Sequence, residues 1–152
     1  MPPLMHRKAA GVTRYDIIED SLVRVAEICG DPRDRVYGRL FDRNPEFEMM
    51  FIMDSDGGVR GSMLQQAIEC LLDFAGPRVT SPSILASERE RHFGYGVPED
   101  HFERFLEALR DTVREVIGES WTPVLEEAWA SLLEDMAAYT RPATKHVAAG
   151  AA

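Results

Sequence analysis

The chain has 152 residues, 45% of them hydrophobic and 28% charged, the make-up of one globular domain able to bury a core without staples. Lysine and arginine number 17 against 26 aspartates and glutamates, a formal net charge of −9, and that field repels nucleic acid and anionic membrane surfaces. No apolar run approaches the roughly 20 residues that span a bilayer. The basic start Met1-Pro2-Pro3-Leu4-Met5-His6-Arg7-Lys8 is not followed by the apolar region of a secretory leader, so a cytoplasmic location is expected.

From Tyr15 to Cys29 the residues Ile17, Ile18, Leu22, Val25, Ala26 and Cys29 recur three and four apart, which predicts an amphipathic helix stopped by Gly30. Asp31-Pro32 is a cap followed by a proline of preset φ, and it opens a second helix with Val36, Tyr37, Leu40 and Phe41 inward. Asn44-Pro45 repeats the signal and starts a short turn ending in Met49-Met50-Phe51-Ile52-Met53, whose methionines are expected in the core, the other reading being an exposed contact patch. Asp54-Ser55-Asp56-Gly57-Gly58 has the acidic spacing of a calcium loop. Val59 stands where such a loop needs glycine, however, and Gln65 where it needs glutamate, so a solvated turn is expected.

A helix from Val59 to Ala75 places Met63, Leu64, Ala67, Ile68, Leu71 and Leu72 inward, and Gly76-Pro77 breaks it. A short charged helix from Ile84 to His92 ends at the corner Gly94-Tyr95-Gly96. Pro98 opens a long helix whose apolar face runs from Phe102 and Phe105 to Val116 and Ile117, closed by Gly118. Thr122-Pro123 caps the last helix, with Leu125, Ala128, Trp129, Leu132, Leu133 and Met136 inward. Cys29 and Cys70 lie within apolar stripes and are expected as buried thiols. No stretch alternates with period two, so the fold class is all-α. One domain is expected over residues 15–140, between a flexible N-terminal extension, 1–14, and a flexible tail, 141–152.

Of the four histidines, His92 has the most telling place. It ends the run Glu88-Arg89-Glu90-Arg91 immediately before a glycine-broken corner, where an imidazole can reach a metal. Several further anchors surround it: Tyr37-Gly38-Arg39-Leu40-Phe41-Asp42-Arg43-Asn44-Pro45-Glu46-Phe47 through Phe51, then Tyr95-Gly96-Val97, then Trp121-Thr122-Pro123 to Ala128-Trp129. In this order, over about residues 15 to 139, the sequence resembles the globins, in particular bacterial single-domain globins and the haem domains of flavohaemoglobins. The resemblance implies seven to eight helices around a haem pocket, with haem b (iron protoporphyrin IX) as cofactor and His92 as its axial ligand. It implies that Phe51 packs flat on the porphyrin. Tyr37, eight residues before Pro45, matches the tyrosine whose hydroxyl reaches the bound gas, an interaction that a dry pocket strengthens. The other reading of Tyr37 is a core tyrosine bonded to a backbone carbonyl.

The distal helix departs from the family pattern. Counted without gaps from Phe51 to His92, Arg60 stands where these globins carry glutamine or histidine, and Leu64 falls one turn on, over the iron. Arg60 either touches the bound ligand or turns out to a haem propionate or solvent; the second is preferred, because an unpaired charge over iron is costly. A slip of one turn would put Leu64 in its place. Without a distal histidine, five-coordinate ferrous iron is expected, with Met63 the candidate for a sixth ligand from the chain. Arg91 reaches a propionate or stays solvated at the helix end. Val97 packs on the porphyrin edge or the core, and Tyr95 of the same corner is counted with the haem contacts. The glutamate and tyrosine that raise the basicity of the proximal histidine in flavohaemoglobins fall at His146 and Phe102. A histidine bonded to a backbone carbonyl is therefore expected.

What the resemblance implies for function is reversible binding of oxygen, nitric oxide or carbon monoxide. One alternative is a nitric oxide dioxygenase; no flavin or nicotinamide module is present in these residues, so turnover would draw electrons from a separate reductase. Another is a haem-based gas or redox sensor. A haem-free globin fold is the third, and the joint presence of His92, Tyr37 and Phe51 argues against it. Neither nucleic acid nor membrane is expected as a partner, and monomer and homodimer both stay open.

Overall fold

The computed structural model describes the backbone of residues 11–94 and 100–140 and the side chains of residues 11–87 and 100–139. Seven α-helices follow one another among these residues: α1 Arg14–Cys29, α2 Arg33–Arg43, α3 Pro45–Glu48, α4 Gly58–Ala75, α5 Ser81–Gly94, α6 His101–Ile117 and α7 Pro123–Thr140. Single 3-10 turns, Met49–Phe51 and Gly118–Ser120, extend α3 and α6. The described residues contain no strand, in keeping with the all-α expectation, and none of their helices is long and apolar enough to cross a membrane.

Local chemistry sets most of the helix starts. Thr13 and Asp16 form a reciprocal capping box on α1, and Pro45 takes the first position of α3, where its missing N–H costs nothing. Asp73, near the end of α4, accepts from the backbone N–H groups of Val79, Thr80 and Ser81 at 3.2, 3.0 and 2.7 Å. The bond from Ser81 does most to hold its carboxyl below the usual range. One carboxylate thereby fixes the five-residue connection from α4 to α5 and the direction in which α5 sets out.

Helix α6 runs through the middle, against α1, α2 and α7, while α4 packs on α1, α2 and α5. Leu109 and Val113 of α6 meet Ile18, Val25, Val36, Phe74, Trp129 and Leu132 in a fully buried core. Two polar side chains within this core are joined: Trp129 Nε1 donates to Ser21 Oγ at 3.1 Å, and Ser21 Oγ donates to the Ile18 carbonyl at 2.7 Å. Asp111 accepts from Arg43 at 2.7 Å and Arg110 at 2.9 Å, joining α2 to α6. Burial pushes its pKa up, but the bonds from Arg43 and Arg110 outweigh that and hold the group below the usual carboxylate value.

Three expectations change, those for the methionines, for Asp54 and for Cys29, which is half-buried rather than buried. Met49, Met50 and Met53 are 66%, 50% and 91% exposed rather than core. The reason is geometric, since the four-residue helix and the single 3-10 turn after it set Phe47 and Phe51 against the core and leave the methionines outside it. Asp54 is buried rather than solvated, because its carboxylate caps α4, accepting from the Val59 and Arg60 N–H groups at 3.0 Å each. The described residues hold no cluster of three or more metal-binding side chains. Cys70 is buried, Cys29 is half-buried, and they form no disulfide with each other.

Candidate functional site

Helices α2, α4 and α6, the turn from Phe47 to Asp54 and Ile84 of α5 enclose a cavity of about 570 Å³. That volume lies in the range of sites for cofactor-sized ligands, and the walls are mostly apolar, as such sites are. Tyr37 and Leu40 line it from α2, and Phe102 and Phe105 from α6.

Tyr37 is the polar centre of this wall. Its ring is held by Phe41, Phe51 and Phe105 at centroid distances of 5.7, 5.5 and 5.5 Å, the Phe51 contact edge-on. The hydroxyl is buried, yet it has no hydrogen-bond partner among the described residues. The core-tyrosine reading required a backbone carbonyl there. Burial foremost pushes the phenol pKa up, with Arg60 opposing and Asp54 adding to it, so Tyr37 keeps its proton and remains a donor. Leaving such a hydroxyl unsatisfied costs about 1–3 kcal/mol.

On α4 the lining residues are Val59, Met63, Gln66, Ala67 and Cys70. Steps of four, three, one and three keep them on a single helical face. Arg60 lies about a quarter-turn off that face and Leu64 about a third. Leu64 is in the buried core. Arg60 is engaged by Asp54: its Nε donates to Asp54 Oδ2 at 3.0 Å and its Nη2 to the Asp54 carbonyl at 3.1 Å. Burial raises the Asp54 pKa, but the bonds from Val59 and Arg60 prevail and hold it low. Gly57, at φ 77°, makes the tight entry to α4, and its carbonyl accepts from Arg33 at 3.3 Å.

Of the residues singled out by sequence, Tyr37 and Phe51 thus share the cavity, whereas Arg60 and Leu64 flank its α4 wall. His92 and Arg91 are carried by α5, with their side chains outside the described residues, as are Tyr95, Val97 and His146 altogether. Sequence reasoning did not single out His101, which lines the cavity with its ring edge-on to Phe102 at 6.2 Å, nor Gln66 and Cys70 as lining residues. The α4 stripe was available as a spacing pattern; nothing local marks His101, the first residue of its helix.

A family model described as Globin matches residues 34–140, well over half of the chain. The chain is a globin. A comparison with curated proteins finds no match. Globins in general bind haem, and the cavity of this globin lies within the matched stretch, from Tyr37 to Phe105.

Proposed function

We propose that this globin holds haem b in its cavity through His92 and binds oxygen, nitric oxide or carbon monoxide reversibly, with Tyr37 as hydrogen-bond donor to the gas. The observation that carries this reading is the buried Tyr37 hydroxyl, directed by three aromatic rings and lacking an acceptor among the described residues. A ligand that brings an acceptor into the cavity satisfies it. Haem fits the residues present: a mostly apolar chamber of about 570 Å³, aromatic walls from Phe51, Phe102 and Phe105, and the Tyr37 hydroxyl as a donor. When bound, haem supplies an iron with an open position for a diatomic ligand.

The chain's own residues do the rest. The apolar lining keeps water away, which strengthens each hydrogen bond made inside. Tyr37, kept protonated by its burial, offers its O–H where negative charge gathers on a polarised gas molecule. His92 supplies a neutral imidazole from α5, a helix whose start is locked by Asp73. Titrating the apoprotein with haemin tests the reading. Saturation at one haem per chain with a Soret band is expected, and His92→Gly is expected to lose the haem or to need added imidazole. A wild-type chain that stays colourless, or a His92→Gly variant with an unchanged haem spectrum, refutes it.

A further inference from the structure

The cavity opens to solvent on one side. Met50, Met53 and Val59 line it and are themselves exposed, whereas Tyr37 and Leu40 on another wall are buried. Its mouth therefore lies where the turn from Phe47 to Asp54 meets the start of α4. Asp54 stands in this rim, next to Met53 along the chain, and it too lines the cavity. Among the described lining residues it is the only carboxylate, and none is a lysine or arginine. Its side chain is 4% exposed, and a carboxylate so deep beside an apolar chamber needs a countercharge. Arg60 supplies it from off the lining face, one guanidinium spanning the Asp54 carboxylate and carbonyl at 3.0 and 3.1 Å. Arg33 of α2 braces the same turn through the Gly57 carbonyl. Arg60 has no second anionic partner among the described residues, so without the Asp54 charge its guanidinium is free to turn to an anion at the mouth.

We propose that Asp54 is a positioning residue for ligand choice: by holding the Arg60 guanidinium against itself it keeps the mouth of the cavity electrically neutral, so that uncharged apolar molecules enter and anions find no partner there. Within the gas-binding reading above, the pair sets the site for uncharged ligands; the charge balance itself stands without haem. Breaking the pair from either side leaves one charge uncompensated in a poorly hydrated place, where it acts strongly on whatever enters. Loss of the Asp54 charge leaves a cation, and loss of the Arg60 charge leaves an anion. The two changes therefore push anion binding in opposite directions, which a mere loss of shape does not do. The other polar side chains of the wall do not enter this balance. Gln66 is a neutral amide seven residues from Val59, about 10 Å along α4, Tyr37 keeps its proton, and His101 is taken out by working at pH 8, where an ordinary imidazole is uncharged.

Two dyes with one ring system provide the test on the full chain without haem: anilinonaphthalene sulfonate, an anion, and its uncharged parent phenylnaphthylamine. Binding is read by fluorescence titration at about 0.15 M salt, where the net charge of the chain is screened beyond about 8 Å. The wild type is expected to bind the uncharged dye more tightly than the anion. Asp54→Asn, in which asparagine still caps α4, is expected to tighten the anionic dye about tenfold, the size of one nearby unit charge in a half-wet site. Arg60→Gln is expected to weaken it by a similar factor, and the double variant to return it near the wild-type value, with the uncharged dye held within about twofold throughout. Arg60→Gln leaves the Asp54 cap intact, so its arm decides alone if Asp54→Asn does not fold. A wild type that prefers the anion or binds neither dye, an anion affinity that both variants move the same way or not at all, or an uncharged dye that moves with the anion overturns the proposal. None of these outcomes bears on haem uptake, and a chain that refuses haem leaves the dye result standing.

Discussion

Replacing Tyr37 with phenylalanine should move the stability of the apoprotein and the retention of oxygen in opposite directions. Without a ligand, the native state carries a buried hydroxyl with no partner among the described residues, a cost of about 1–3 kcal/mol. Tyr37→Phe removes that group and keeps the ring contacts to Phe41, Phe51 and Phe105. The change removes one oxygen and keeps the ring, so any void it leaves is small. The apoprotein should therefore gain about 1 kcal/mol, read in urea unfolding as a higher midpoint at unchanged slope, or about 2–4 °C in melting temperature for a chain of this size. In the haem-loaded protein the same change removes the proposed donor to the gas. Loss of about 1–1.5 kcal/mol corresponds to roughly tenfold faster oxygen dissociation, with carbon monoxide, which gathers less charge, changed less. Stopped-flow oxygen displacement measures the second effect on the same preparation. An apoprotein destabilised by Tyr37→Phe would show that the hydroxyl is already satisfied, and the reasoning fails with it.

Ser21→Ala leaves Trp129 Nε1 buried without its acceptor, and urea unfolding should report a loss of about 1–3 kcal/mol; a change within error would mean the indole finds another partner. Asp111 has a folded pKa held below its unfolded value. The stability it contributes is therefore fully present above the unfolded carboxylate pKa of about 4 and is lost as pH falls through the folded value. The urea midpoint of the wild type should fall in that acid window, and Asp111→Asn should flatten this part of the profile while lowering stability at neutral pH. Asp54→Ala removes the acceptor of the Val59 and Arg60 N–H groups and releases the Arg60 guanidinium. Hydrogen exchange at those two amides should accelerate while amides in the middle of α4 keep their protection; unchanged exchange at Val59 and Arg60 would refute the cap.

Much of this globin is legible residue by residue because its punctuation is local. Thr13 with Asp16, Asn44-Pro45 and Thr122-Pro123 each satisfy or remove helix-end donors within a few residues, so the helix starts follow from short stretches of chain. Tyr37 and Phe51 were singled out by the resemblance to the globins, and both line the cavity. The order of the helices carried the family.

Tertiary structure decided which side of α4 faces the cavity. Leu64 and Leu71 turn to the core, whereas Met63, Ala67 and Cys70 turn to the chamber. Both faces are apolar, so hydrophobic periodicity cannot tell a wall packed by protein from one that awaits a ligand. Arg60 was equally ambiguous by residue type. Its pairing with Asp54 depends on a tight turn at Gly57 that brings a carboxylate six residues earlier back to the helix start. The exposure of the methionines was settled by one short 3-10 turn, which packs only its phenylalanine against the core, and that partly. Local spacing determined that this chain is helical, and the order of its anchor residues carried the resemblance to the globins; packing across elements distant in sequence determined which side chains meet in its cavity, because an apolar residue carries no mark of the neighbour it will touch.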